Sequence, residues 1–101
     1  MLMKIIFEEN GTNGHLAVDE FGVEFSVTSP GGTFRRRHPF NAVECVLLSP
    51  AGRLSFQVGN EVFSAPVSLD NALHRACIDG FVREVYCARN GGIIHVLATS
   101  R

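Results

Sequence analysis

The sequence predicts an α+β fold: a seven-stranded antiparallel roll or barrel, capped by one C-terminal amphipathic helix and followed by an extra strand. Short strand-like runs separated by Gly, Asn, Pro and Asp fill residues 3–66. Apolar residues then recur at helical spacing over 69–89, and another apolar run occupies 93–99. A chain of 101 residues is one domain, residues 1–101.

The strand predictions depend on alternation of apolar and polar side chains. The clearest case is 23–28, where Phe25 and Val27 face inward, and Leu54 and Phe56 repeat the pattern. Turn residues separate the predicted strands, which are 4–8, 15–19, 23–28, 33–38, 42–48, 53–58 and 61–65.

The helix is predicted to begin near Leu69, with Ser68 or Asp70 as its N-cap, and to end at residues 90–92. Gly80 lies inside the apolar stripe, where it lowers helix propensity, so we expect it to allow close approach to the sheet. The predicted core comes from both halves of the chain: Leu16, Val23, Phe25, Val27, Leu54, Phe56, Leu73, Cys77 and Phe81.

Composition disfavours several classes of function. The net charge is -1, with no basic excess of the kind that nucleic-acid binding requires. The apolar start of the chain is interrupted by Glu8, so neither a signal peptide nor a membrane span is predicted. An odd, sparse set of three cysteines indicates a reducing compartment, and we expect a cytoplasmic protein without disulfides.

Four segments resemble the bacterial pleckstrin-homology-like domains and the related GRAM-type modules. The segment GHLAVDEFGVEF (14–25) resembles their first hairpin, and FRRRHPFNAVECV (34–46) resembles their basic strand and the strand after it. GRLSF (52–56) with VFSA (62–65) resembles their last hairpin, and the helix stands where their closing helix stands. The resemblance implies a seven-stranded roll capped by a helix.

The chain departs from that family in two places. Membrane-binding members hold a phosphoinositide head group with basic residues around the first hairpin loop, whereas residues 9–14 carry no positive charge. The strand at 93–99 lies beyond the minimal fold. We therefore expect no specific phosphoinositide binding and transfer no functional residue from the family.

The run Arg35-Arg36-Arg37-His38 is a candidate anion site, in which Arg35, Arg37 and His38 would bind a phosphate or carboxylate. Strand alternation places Arg36 opposite to Arg35 and Arg37. The competing interpretation, which we favour, is a solvated edge strand whose charges discourage aggregation.

No metal, cofactor or catalytic residue is predicted. His74 and Cys77 lie one helical turn apart, but no second pair at ligand spacing accompanies them. No nucleophile elbow or glycine-rich phosphate loop is present either.

Two functions follow as alternatives. The first is a non-catalytic binding or assembly module, whose partner is another protein or a second copy of the chain. The second is a small enzyme or small-ligand binder with a pocket inside the roll, lined by His15, His38 or Arg36. Self-association is expected if the strand at 93–99 pairs with a second subunit rather than with residues 3–8 of its own chain.

Overall fold

The protein consists of two β-sheets and one α-helix. A computed structural model describes residues 2–89 and 95–98. The elements are β1 (Leu2–Glu9), β2 (Thr12–Asp19), β3 (Val23–Ser29), β4 (Gly32–His38), β5 (Cys45–Ser49), β6 (Arg53–Val58), β7 (Glu61–Pro66), α1 (Ala72–Ala88) and β8 (His95–Ala98). The predicted α+β class and the seven antiparallel strands before the helix are confirmed.

The first sheet is an antiparallel meander in the order β1-β2-β3-β4. Its first hairpin turns at Asn10 and Gly11, which have φ values of 54° and 77°. These left-handed conformations suit Asn and Gly, the residue types that tolerate them. The third hairpin turns at Pro30 and Gly31, and this turn places β3 and β4 in register from Ser29 onward.

The second sheet has the order β7-β6-β5-β8, and β8 pairs with β5 in parallel. The expected pairing with residues 3–8 of the same chain is therefore wrong for the described strand 95–98, whereas pairing with a second subunit stays a prediction. Parallel strands need a long crossover connection, and the chain between β5 and β8 contains β6, β7 and α1. The other residues of the predicted strand, 93, 94 and 99, lie outside the described part of the chain.

The two sheets do not close into a barrel. Within the described residues no strand belongs to both sheets, so the predicted closed roll is replaced by two sheets held by side chains. A row of aromatic rings crosses the interior. The ring centre of Phe25, in the first sheet, lies 5.3 Å from that of Phe63, which lies 5.0 Å from the ring centre of Phe56. Phe56 in turn lies 5.2 Å from Phe81 of α1, so sheets and helix share one core.

The helix begins later than predicted. Asn71 is the N-cap, and its side chain accepts hydrogen bonds from the amides of Leu73 and His74. The predicted caps Ser68 and Asp70 precede this position, so the prediction of the cap was wrong. An asparagine carboxamide oxygen satisfies these free amides as well as Ser or Asp would.

The buried face of α1 is rotated from the predicted stripe. Leu73, predicted to be in the core, is 77 % exposed, because it lies in the first turn on the solvent side of the helix. The residues of α1 that are buried are Cys77, Ile78, Gly80, Phe81 and Val85. Of the other predicted core residues, Val27 is half-buried against the core and the rest are buried.

Gly80 faces β1, as expected for a close helix–sheet approach. A side chain at this position would collide with the thioether end of Met3. The missing Cβ therefore makes room for the flexible end of the Met3 side chain between α1 and the first sheet, at a cost in helix propensity.

Candidate functional site

Five polar side chains gather on the face of the first sheet that points away from the core. The cluster, named the outer-face cluster below, consists of His15, Asp19, Glu24, Arg35 and Arg37. Strand pairing produces it: His15 pairs with Ser26, and Ser26 pairs with Arg35. The next row on the same face pairs Glu24 with Arg37, so positions far apart in sequence become neighbours.

Glu24 is at the centre of the cluster. His15 donates a hydrogen bond from Nε2 to Oε2 of Glu24 at 3.0 Å. This hydrogen bond is the main reason that the pKa of Glu24 lies below its ordinary value, with smaller contributions from the charges of Arg35 and Arg37. Partial burial acts in the opposite direction. Glu24 is therefore a carboxylate held ionised by three surrounding donors and cations.

Arg37 is fixed by a carboxylate from the neighbouring turn. Its Nη2 donates to both oxygens of Asp19, at 3.1 and 2.9 Å. Asp19 also accepts hydrogen bonds from the amides of Phe21 and Gly22, which closes the turn between β2 and β3. The hydrogen bond from Arg37, followed by that from Phe21, holds the pKa of Asp19 below its ordinary value.

Of the three arginines of β4, Arg35 lies farthest from its nearest carboxylate. Its Nε lies 3.7 Å from Glu24, beyond hydrogen-bond distance, and its side chain is 64 % exposed. Most of its donor groups therefore face solvent. An exposed guanidinium with free donors can bind a carboxylate or phosphate oxygen.

Arg36 and His38 lie on the opposite side of β4, where the first sheet meets β7. Arg36 stacks on Phe34, with its Cζ 4.4 Å from the ring centre, and its Nε lies 3.5 Å from Glu61. The ring centre of His38 lies 5.8 Å from that of Phe63, and its buried Nε2 has no hydrogen-bond partner among the residues that the structure describes. We call this set, Phe34, Arg36, His38, Glu61 and Phe63, the sheet rim.

The residues of the candidate anion site do not converge. Arg35 and Arg37 lie in the outer-face cluster, whereas His38 pairs with Val23 on the inward side and belongs to the rim. Only Arg35 and Arg37 share a face. The role of these residues in binding an anion stays a prediction.

The carboxylates that balance the arginines were not predicted from the sequence. Asp19, Glu24 and Glu61 each lie within 4 Å of an arginine of β4. The two-residue turn at Pro30 and Gly31 could have predicted one of these pairs. Such a turn fixes the register of β3 and β4, and this register places Glu24 opposite Arg37. Glu61 comes from the other sheet, and no local pattern predicted its position.

Two concave surfaces among the described residues are lined mainly by apolar atoms. A groove of about 430 Å³ between α1 and β5 is lined by Leu48, Leu69, Arg75, Ile78, Asp79 and Val82. A smaller depression of about 170 Å³ on the second sheet is lined by Cys45, Leu47, Ser55, Phe56, Gln57 and Val62. His15, His38 and Arg36 line neither of them.

Residues 2–89 and 95–98 contain no group of three or more His, Cys, Asp or Glu side chains placed to hold a metal ion. The three cysteines are free. Burial raises the pKa of the Cys77 thiol to about 11, so this side chain behaves as a small apolar core residue. In the same part of the chain, no helix has the length and hydropathy needed to cross a membrane.

Comparison with family models, with curated proteins and with solved structures gives no match to this chain.

Proposed function

We propose that this chain is a non-catalytic binding module that acts through its surface rather than through an internal pocket. The observation that carries the proposal is the packed aromatic interior. Phe25, Phe56, Phe63 and Phe81 fill the space between the sheets and the helix, with ring centres 5.0–5.3 Å apart along the chain of contacts. A filled interior leaves binding to the outer surfaces and the strand edges.

We also propose that the scaffold is pleckstrin-homology-like. Support comes from the order of the elements, a four-stranded meander followed by a three-stranded one and then a helix packed on the core. The strand β8, added in parallel to β5, is an extension of that plan. Fold alone does not name a ligand, so the proposal extends to binding and not to a particular partner.

The alternative is a small enzyme or ligand binder with a pocket lined by His15, His38 or Arg36. The positions of these residues give it little support. His15 lies on the outer face, bound to Glu24, while Arg36 and His38 lie at the sheet rim against aromatic rings. None of the three lines either of the two concave surfaces described above.

The proposed setting is the cytoplasm, supported by three free cysteines of which Cys87 is exposed. The proposed partner is another protein. Self-association stays a prediction, and its original basis is weaker because β8 pairs with β5 of the same chain.

Nuclear magnetic resonance titration of the intact protein tests the proposal, since 11.0 kDa gives well-resolved amide spectra. A random peptide library and a library of small metabolites are titrated in parallel. We expect peptides to perturb amides at strand edges and metabolites to leave the spectrum unchanged. A metabolite that perturbs Phe25, Phe63 and His38 together at micromolar concentration would overturn the proposal in favour of an internal pocket.

A further inference from the structure

The free edge of β4 is highly exposed, and its charged side chains near that edge are all arginines. β4 is the last strand of the first sheet and pairs only with β3 among the described elements. Residues 32–37 are all exposed. Alternate amide and carbonyl groups along such an edge have no partner in the sheet, and an added extended strand supplies one. The carbonyl of Arg35 accepts a hydrogen bond from Nη1 of the exposed Arg36 side chain at 3.0 Å, and an added strand would have to replace this contact.

The side chains of β4 favour an acidic partner on one face. Arg35 and Arg37 project from the outer face, two residues apart, which is the spacing of neighbouring side chains on one face of a strand. The carboxylates that balance them, Asp19 and Glu24, come from β2 and β3, so β4 itself contributes only positive charge. Arg35 retains free donors directed to solvent, since Glu24 lies 3.7 Å from its Nε.

The other face of β4 favours an apolar partner. Phe34 is 37 % exposed, its ring lies 6.3 Å from that of Phe63, and Arg36 stacks on it. Arg36 is in turn held by Glu61 through its Nε and by the carbonyl of Arg35 through its Nη1. An added strand would therefore meet cations on one face and an aromatic ring on the other.

The same charges exclude a second copy of β4 as the occupant. Two β4 strands paired edge to edge would bring six arginines, three from each copy, to one junction. Like charges directly opposite each other in a sheet are destabilising. The arginines thus disfavour pairing with a second β4 and favour pairing with an acidic strand. Repulsion of one partner and attraction of another together produce specificity.

We propose that β4 accepts an extended peptide of alternating acidic and apolar residues as a fifth strand of the first sheet. Its backbone pairs with the free edge of β4, its carboxylates contact Arg35 and Arg37, and its apolar side chains pack against Phe34. This inference rests on the proposed function as a binding module and names the surface and the class of partner.

The test uses the intact protein and the capped peptide TVEVEVT, with TVKVKVT as the matched control. We expect TVEVEVT to perturb the amides of residues 33–37, and TVKVKVT to leave them unchanged. Binding should weaken as salt is raised, since the contacts are exposed charges. Comparable perturbation by both peptides, or none at residues 33–37 by the acidic one, would overturn the inference.

Two further measurements separate backbone pairing from simple charge attraction. In an added strand, only every second amide of the peptide faces β4. N-methylation of that set in the acidic peptide should abolish binding, while methylation of the other set, which faces away from β4, should preserve it. Arg35→Gln should weaken binding about tenfold, whereas Arg83→Gln, an equal charge change on the exposed side of α1, should have no effect. Equal binding of both methylated peptides would show that binding depends on charge alone, and would contradict strand addition.

The outcomes distinguish this inference from the broader proposal. If other peptides bind and perturb a different surface, the β4 assignment fails and the binding module stands. If only a small molecule binds, between the sheets, both fail. A concentration-dependent dimer whose formation perturbs residues 33–37 would identify a second copy as the occupant and overturn the choice of an acidic peptide.

Discussion

Arg53 at the start of β6 binds Glu9 at the end of β1 through two parallel hydrogen bonds, Nη1 to Oε2 at 2.6 Å and Nη2 to Oε1 at 2.9 Å. The two residues belong to different sheets. Arg36 and Glu61 form a second contact between the sheets, at the other end of the β6–β7 hairpin. Charged pairs therefore connect the sheets at both ends of one hairpin where no backbone ladder does.

The first prediction concerns the pH dependence of the Glu9–Arg53 pair. The hydrogen bond from Arg53 lowers the pKa of Glu9 below its ordinary value of 4.5, against an opposing effect of desolvation. Because the pKa is lower in the folded state, the pair stabilises the fold above the unfolded value and loses its effect as pH falls through the folded value. Glu9→Gln should therefore be less stable than the wild type at neutral pH.

Urea unfolding at neutral pH and again well below pH 4.5 checks this prediction. The difference in unfolding free energy between Glu9→Gln and wild type should shrink at the acidic pH. Glu8→Gln, an exposed neighbour on the same strand, is the matched control and should behave as wild type at both values. A difference that stays constant with pH would show that the pair is electrostatically inert.

The second prediction concerns the aromatic core. Phe81 is fully buried and its ring contacts those of Phe40 and Phe56. Phe81→Ala should lower the unfolding free energy by about 3–5 kcal/mol, since it removes apolar contacts and leaves a cavity. Leu73→Ala, on the exposed side of the same helix, should change it by no more than about 0.5 kcal/mol. Denaturant unfolding of both variants makes the comparison, and equal losses would show that the helix face is misassigned.

The third prediction concerns Gly22, in the turn between β2 and β3. A Cβ at this position would overlap the carbonyl oxygen of His38 and approach the backbone of Pro39, neither of which is a flexible side chain. Gly22→Ala should destabilise the fold by about 1–3 kcal/mol, the usual range for overpacking. Gly31→Ala is the control, because a Cβ there meets only the Ser29 hydroxyl at an ordinary distance. Thermal unfolding in which Gly22→Ala matches Gly31→Ala would contradict the close contact.

The fourth prediction concerns the outer-face cluster. The hydrogen bond from His15 is the largest cause of the low pKa of Glu24, so His15→Ala should raise that pKa toward its ordinary value. A carboxyl-carbon titration by nuclear magnetic resonance measures it directly. Lys4→Ala, on the same face of the sheet, is the control. A Glu24 titration unchanged by His15→Ala would mean that the arginines alone set this pKa.

The fifth prediction concerns thiol reactivity. Cys87 is exposed, whereas Cys77 is buried and its pKa is raised to about 11. An aromatic disulfide reagent should label Cys87 rapidly in the folded protein and label Cys77 only after unfolding. The thiolate is the reactive form, so both burial and the high pKa slow the reaction. Prompt labelling of Cys77 in Cys87→Ser under native conditions would show that α1 opens readily.

Much of the candidate site was accessible from strand alternation alone. Alternation correctly placed Arg36 on the face opposite to Arg35 and Arg37, because successive side chains in a strand point to opposite sides. It also indicates that His38 shares the face of Arg36, although the sequence analysis grouped His38 with Arg35 and Arg37. The carboxylate partners required knowledge of the register, and Glu61 required knowledge of how the two sheets pack.

By itself, the sequence determined the order of the elements, because each strand and turn is encoded by neighbouring residues. The alternation around Phe25, the turn glycines and the apolar spacing of α1 are all local signals. The tertiary structure decided what depends on contacts between distant segments. The pairing of β8 with β5, the two open sheets and the Glu9–Arg53 bond join residues far apart in the chain, and no local pattern records such distances.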